Sequence, residues 1–157
     1  MKRREQGRQI ALQALYQLDL RNEDFGPEMV EFLRSSTDDP EVYFFGRRLT
    51  EGAWGWRAEA DRLIQEAAEH WRIERMAPLD RNILRLATYE ICQCADIPPR
   101  VAIDQAIELA KRFSAAESGA FVNGVLDRVL RIVKGDEAAK AIQEEGASRP
   151  RRRKKEA

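Results

Sequence analysis

An all-α protein is the expectation, and three features of the chain carry it. Apolar residues recur at spacings of three and four, no stretch alternates apolar with polar as a half-buried strand does, and Asp39-Pro40, Ala77-Pro78 and Pro98-Pro99 stand where helices would begin. With 157 residues, 43% of them apolar and 34% charged, the chain suits one soluble domain with a real core and is short for two. No run approaches the roughly 18 apolar residues of a membrane span. The start, MKRREQGRQI, is basic but lacks the apolar stretch of a secretory signal, so the expected setting is the cytoplasm, with no membrane partner.

The first helix is expected from about Arg4 to Leu20, with Ile10, Ala11, Ala14, Leu15 and Leu18 on one stripe. Arg4 and Arg8, four apart, would project from one side. Asn22 and Gly26-Pro27 break the pattern, and EMVEFL is long enough for one or two turns. Asp39 then caps a long element with Pro40 at its first position. Its apolar positions run through Phe45, Leu49, Ala53, Trp56, Ala60, Leu63, Ile64 and Ala67 to Trp71, with a bend or division at Gly52 and Gly55. Ile83, Leu84, Leu86, Ala87 and Ile91 give the next helix a broad apolar face, as a central helix would have. Val101, Ile103, Ala106, Ile107, Leu109, Ala110 and Phe113 predict a helix buried over much of its surface.

Ser114 and Glu117 have the spacing of a capping box. They would start a last core helix that carries Phe121, Val122, Val125, Leu126, Val129 and Leu130 to about Lys134, with Gly135 as its stop. The glycines in AAESGAFVNGVLDRVL need a reason, since each costs a helix interior about 1 kcal/mol. Gly124 is expected to let a crossing helix approach, and Asn123 to bond to chain ends left unpaired at a bundle junction. Residues 135–157 contain helix formers but little apolar face and are expected to be a flexible basic tail, so the folded domain is placed at residues 1–134.

Charge is unevenly spread. Residues 1–8 carry +3 and residues 149–157 carry +5, which leaves −8 on the body of a chain whose net charge is zero. Basic ends on an acidic body fit an RNA-binding protein or one with an acidic partner, although a solvated tail alone gives the same pattern at the C-terminus. Gly-rich phosphate loops and nucleophile elbows are missing from the sequence. His70 is the one histidine. Cys92 and Cys94 are the two cysteines and, two apart on a helix, face different ways. No catalytic, metal or cofactor site is expected, which leaves binding. Lys2, Arg3, Arg4 and Arg8 are the local candidates for RNA phosphates.

ILRLATYEI, PPRVAIDQAIELAKRF and ESGAFVNGVLD, in that order, resemble the NusB family of bacterial transcription antitermination factors, and RQIALQALYQLD resembles its first helix. The resemblance covers residues 1–134 and is densest from Leu79 to Asp127. It implies two small helical bundles packed across each other in one domain. It also implies a non-enzymatic factor that pairs with ribosomal protein NusE and holds boxA-type single-stranded RNA for the RNA polymerase antitermination complex on rRNA operons. By similarity the RNA-facing residues are Lys2, Arg3, Arg4 and Arg8, with Lys111, Arg112 and Phe121 as weaker candidates. The partner surface is Tyr16, Asp80, Arg85, Glu117 and Phe121.

Plainer roles stand beside these. Tyr16 fits a core edge, Phe121 a core position, Arg85 an intrahelical pair and Glu117 a cap. Asp80, Lys111 and Arg112 each suit a helix dipole. The family pattern has a denser basic run than this chain, where Glu5, Gln6 and Gly7 interrupt it; Arg149 to Lys155 are expected to supply part of the missing charge. Two rival readings are a protein-only adaptor and a fragment resembling the N-terminal region of rRNA cytosine methyltransferases; the latter is disfavoured because the segment after Lys134 is expected to be a basic tail rather than their second domain. Self-association as a homodimer stays open, with Phe45, Trp54 and Trp56 fitting either an interface or a core.

Overall fold

A computed structural model describes residues 2–148, and among them there are helices and no strands. Helix α1 (Arg3–Arg21) lies between α3 and α5, and for that reason is buried on more than a single stripe: Gly7, Arg8, Ile10, Ala11, Leu12, Ala14, Leu15 and Leu18 all face protein. It ends at Asn22 in the left-handed region (φ 51°), where asparagine is tolerated and the N–H reaches back to Asp19 and Leu18 carbonyls. Helix α2 (Pro27–Ser36) and α3 (Pro40–Gly55) complete a first bundle with α1. Asp39 caps α3 as expected, accepting from the Glu41 N–H at 2.9 Å.

The crossing of α1 and α3 is made by two glycines. A Cβ on Gly7 would stand 2.7 Å from Phe45 Cδ2, and one on Gly46 would stand 2.7 Å from Ile10. The division expected near Gly52 and Gly55 occurs at Trp56, after which α4 (Arg57–Ala67) begins. Gly52 makes room for the Tyr89 ring of α5.

Helix α4 stops at Ala67, short of the expected Trp71. The Gln65 side chain folds the next segment back on the helix end: its amide donates to the Trp71 carbonyl at 2.9 Å and to Ala68 at 3.3 Å, and its oxygen accepts from the Ile73 N–H at 2.9 Å. A short 3₁₀ turn, Ile73–Arg75, leads to α5 (Pro78–Gln93). Helix α5 is the central element, in contact with α1, α3, α4, α6 and α7, and so joins the two bundles. Helix α6 (Pro99–Phe113) buries Ala102, Ile103, Ala106, Leu109 and Ala110 but leaves Val101 at the surface. Helix α7 (Ser118–Lys134) ends at Gly135, whose φ of 90° suits glycine.

Three expectations about the last third need correction. Ser114 and Glu117 form no capping box, because Ser114 Oγ donates to Asp80 Oδ1 at 2.6 Å instead. Gly124 faces open space and admits no crossing helix, and Asn123 is exposed to solvent rather than set against chain ends at a bundle junction. The segment after Gly135 is not a tail throughout: α8 (Asp136–Ser148) packs against α6 and α7, fully burying Ala139 and half-burying Ile142. Two apolar residues on one face were too few to read as periodicity, yet they suffice once α6 and α7 offer a prepared surface. Residues 149–157 lie outside the described residues, and so does the role expected for Arg149 to Lys155.

Candidate nucleic-acid and partner interface

The first turn of α1 projects Lys2, Arg3 and Arg4 into solvent. Arg3 donates to Asp39 at 2.9 Å and to Glu41 at 3.2 Å, both at the start of α3. Arg4 donates to Asp96 at 3.0 Å and lies over the Phe45 ring, 4.7 Å from its centre. Asp96, in the turn between α5 and α6, also accepts from Arg48 Nη1 at 2.9 Å. Donation from Arg48 holds the Asp96 carboxyl well below its ordinary range, and the same bond raises Arg48. Arg3, Arg4, Glu41, Phe44, Phe45 and Arg48 line a cleft of about 380 Å³.

Arg8 departs from this group. It was expected at the surface beside Arg4, but it is 2% exposed and donates through Nε to Glu90 of α5 at 2.8 Å. Its Nη2 stands 2.7 Å from the same carboxylate oxygen without an aligned hydrogen bond. Burial pushes the Glu90 carboxyl up and the Arg8 charge opposes it; the net direction is up. The placement follows from α1 lying between two helices: Gly7 meets α3, and the next residue, about 100° further round the helix, meets α5.

A second cleft, of about 290 Å³, opens between the segment before α5 and the start of α7. Trp71, Arg75, Met76, Asp80, Glu117 and Phe121 are on its walls. Trp71 is 61% exposed and meets half-buried Phe121 edge to face, 6.0 Å between centres. Asp80 accepts from Ser114 at 2.6 Å and Ser118 at 3.1 Å, and so fastens the α6–α7 corner to α5. Glu117 is exposed at the mouth.

Arg85, expected on the partner surface, is buried as well. It donates to both oxygens of Asp61 at 2.7 and 2.9 Å and stands 3.3 Å from Asp19. Arg81 and Asn82 donate to the same Asp19, which makes this carboxylate the junction of α1 with α5. Tyr16, half-buried, is one turn before it on α1. Lys111 and Arg112 are exposed near the end of α6. Lys111 is 3.8 Å from Glu108, and Arg112 borders a cleft shared with Glu5 and Gln9 of α1. Phe45 and Trp54 belong to the core, at 9% and 4% exposure, so of the three self-association candidates only Trp56 is partly at the surface.

The structure thus gathers Asp80, Glu117 and Phe121 and keeps Lys2, Arg3 and Arg4 together, while it withdraws Arg8 and Arg85. Sequence reasoning missed Phe44, Arg48, Trp71 and Asp96. Phe44 and Arg48 had a signal, four residues apart on a predicted helix; Trp71 was hidden by the wrong helix end, and Asp96 by lying in a turn.

Guanidiniums over aromatic rings beside exposed apolar surface, as at Arg4 over Phe45 and in the Trp71 cleft, are features of a helical protein with binding surfaces. The model of the NusB family matches residues 5–131. A transcription antitermination protein NusB of Symbiobacterium thermophilum is 46% identical over 140 residues, covering 84% of this chain and 92% of the relative. Its counterpart in Myxococcus xanthus is 44% identical over 131 residues, covering 80% and 93%. Among solved structures, NusB of T. maritima superposes with a TM-score of 0.73 at 35% identity, over 90% of this chain and 98% of that one. A chain from a complex of antitermination factors NusB and NusE with double-stranded RNA gives 0.75 at 27% identity, over 84% and 98%. The chain belongs to the NusB family.

Proposed function

We propose that this protein is a non-enzymatic, cytoplasmic RNA-binding factor of transcription antitermination. With ribosomal protein NusE it binds boxA-type single-stranded RNA for the RNA polymerase antitermination complex on rRNA operons. The observation that carries the reading is the exposed cationic start of α1, Lys2, Arg3 and Arg4, on a member of this family. Arginine pairs well with phosphate oxygens, and cations lined along a strand release its counterions. Lys111, Arg112 and Phe121 are the secondary RNA contacts. Tyr16, Asp80, Glu117 and Phe121 form the NusE-facing surface, which uses the Trp71 cleft as its apolar centre. Arg8 and Arg85 hold the scaffold beneath these surfaces.

Gel-shift titration with a boxA-type single strand, with and without NusE, tests the assignment. The wild type should form a ternary complex, and charge reversal of Arg3 and Arg4 to Glu should abolish it at low ionic strength. One observation favours a second reading, a protein-only adaptor: Arg3 and Arg4 already have carboxylate partners. A chain that captures NusE and never retains RNA would establish the adaptor instead.

A further inference from the structure

Three consecutive aromatic residues on α3 have different surroundings. Tyr43 and Phe45 are core, at 8% and 9% exposure, whereas Phe44 is 66% exposed. A lone exposed apolar residue is ordinary. What singles out Phe44 is its position on the wall of the cleft that Arg3, Arg4 and Arg48 share. Its ring is steadied edge to face by Tyr43, 5.1 Å between centres at 66°. Arg4 and Arg48 are steadied too, over the Phe45 ring at 4.7 and 5.9 Å, and both meet Asp96.

We propose that Phe44 is a stacking platform for one unpaired base of a single-stranded RNA, with Arg48 and Arg4 receiving the adjacent phosphate. This inference rests on the RNA-binding reading and extends it along α3, to residues that reading does not use. Every base has a π face, so one exposed ring is a sufficient site for it. A protein partner would need several such anchors around a desolvated centre, and the cleft offers one. Asp96, with a side chain 46% exposed, occupies the place a phosphate would take. Arg48 meets Asp96 through two nitrogens and Arg4 shares the carboxylate, so a phosphate entering this exposed site replaces one charge-assisted guanidinium–oxyanion pairing by another of the same kind. Arg48 thereby keeps an anionic partner before and after binding.

The test is anisotropy titration of the full chain plus NusE with a labelled boxA-type single strand over a range of salt. Phe44→Ala should weaken RNA binding roughly 5- to 150-fold, the worth of one stacked base. Phe44→Leu, which keeps apolar bulk without a π face, should be nearly as weak, and Phe44→Trp should restore binding. None of these should alter the salt slope, whereas Arg48→Gln should reduce it by roughly 0.7 log units, one single-strand phosphate contact. Thermal melts of the variants should match the wild type, since Phe44 lies outside the core. Wild-type affinity in Phe44→Ala or Phe44→Leu overturns the platform alone. Absence of RNA binding by the wild type overturns the underlying reading and the platform with it. Loss of NusE capture by Phe44→Ala in the absence of RNA assigns the ring to a protein interface and overturns the inference.

Discussion

Gly7 and Gly124 both lie inside helices, in opposite surroundings. At Gly7 a methyl group would meet Phe45 Cδ2 at 2.7 Å and the Gly46 nitrogen at 3.3 Å. The overpacking should cost about 1–3 kcal/mol and outweigh the roughly 1 kcal/mol that alanine gains in a helix. Gly124 has nothing within 4 Å, so Gly124→Ala should stabilise by about 0.5–1 kcal/mol. Urea midpoints of the two variants should therefore move in opposite directions; a raised midpoint for Gly7→Ala would refute the close α1–α3 crossing. The same pair marks what one sequence could tell. It located both glycines on helices, but Gly7 read as a gap in a basic run, because spacing identifies a helix and says nothing of which helix crosses it. Arg8 was misread for a related reason. A long cation belongs at the surface by default, and its buried partner Glu90 is on a different helix, 82 residues away.

Ion pairs between helices set the second group of expectations. Arg8→Ala leaves Glu90 buried and unpaired between α1 and α5, which should cost about 3–5 kcal/mol. Replacing both, as Arg8→Met with Glu90→Leu, should cost far less than the sum of the single changes, and a double-mutant cycle by chemical denaturation measures the difference. Asp19 gives a pH dependence. Burial pushes its carboxyl up, but donation by Arg81 and Asn82, with the nearby Arg85 charge, more than offsets this, and it titrates below the ordinary 3.8. A depressed carboxylate stabilises the fold above its unfolded value, and that stability is lost as pH falls from about 4 through the folded value. Glu90, shifted upward, has the opposite sign: its contribution declines as pH rises from about 4.5 through its folded value. Asp19→Asn should accordingly flatten the acid limb of a thermal-stability profile below about pH 4. Most helix limits, the cap at Asp39 and the central place of α5 were readable from periodicity and proline placement. The end of α4 was not, since it depends on one glutamine amide folding the loop over itself, and α8 was not, since its burial is conferred by neighbours.

For the molecule as a whole, zero net charge conceals basic ends on an acidic body, and the first eight residues and the last nine hold the positive excess. Deleting residues 146–157 should flatten the salt dependence of RNA affinity by roughly 0.7 log units per lost phosphate contact. An unchanged slope would remove those residues from RNA binding. The family was readable from FVNGVLD and VAIDQAIELAK because these motifs combine helix cores with corner residues, and Asp80, Glu117 and Phe121 do meet at one corner. The arginine cleft was harder to read, since α1, α3 and the turn before α6 each contribute to it and no single segment resembles a site.

Trp71 has an optical consequence. Its indole is 61% exposed on the rim of the Asp80 cleft, whereas Trp54 is sealed in the core beneath the Arg57 guanidinium. Trp56 is only partly exposed, so under selective excitation of the unmodified chain the most solvent-exposed indole reports from that rim. A companion that seats over the rim would dehydrate the indole and move its emission to shorter wavelength, giving the docking event a native fluorescent gauge.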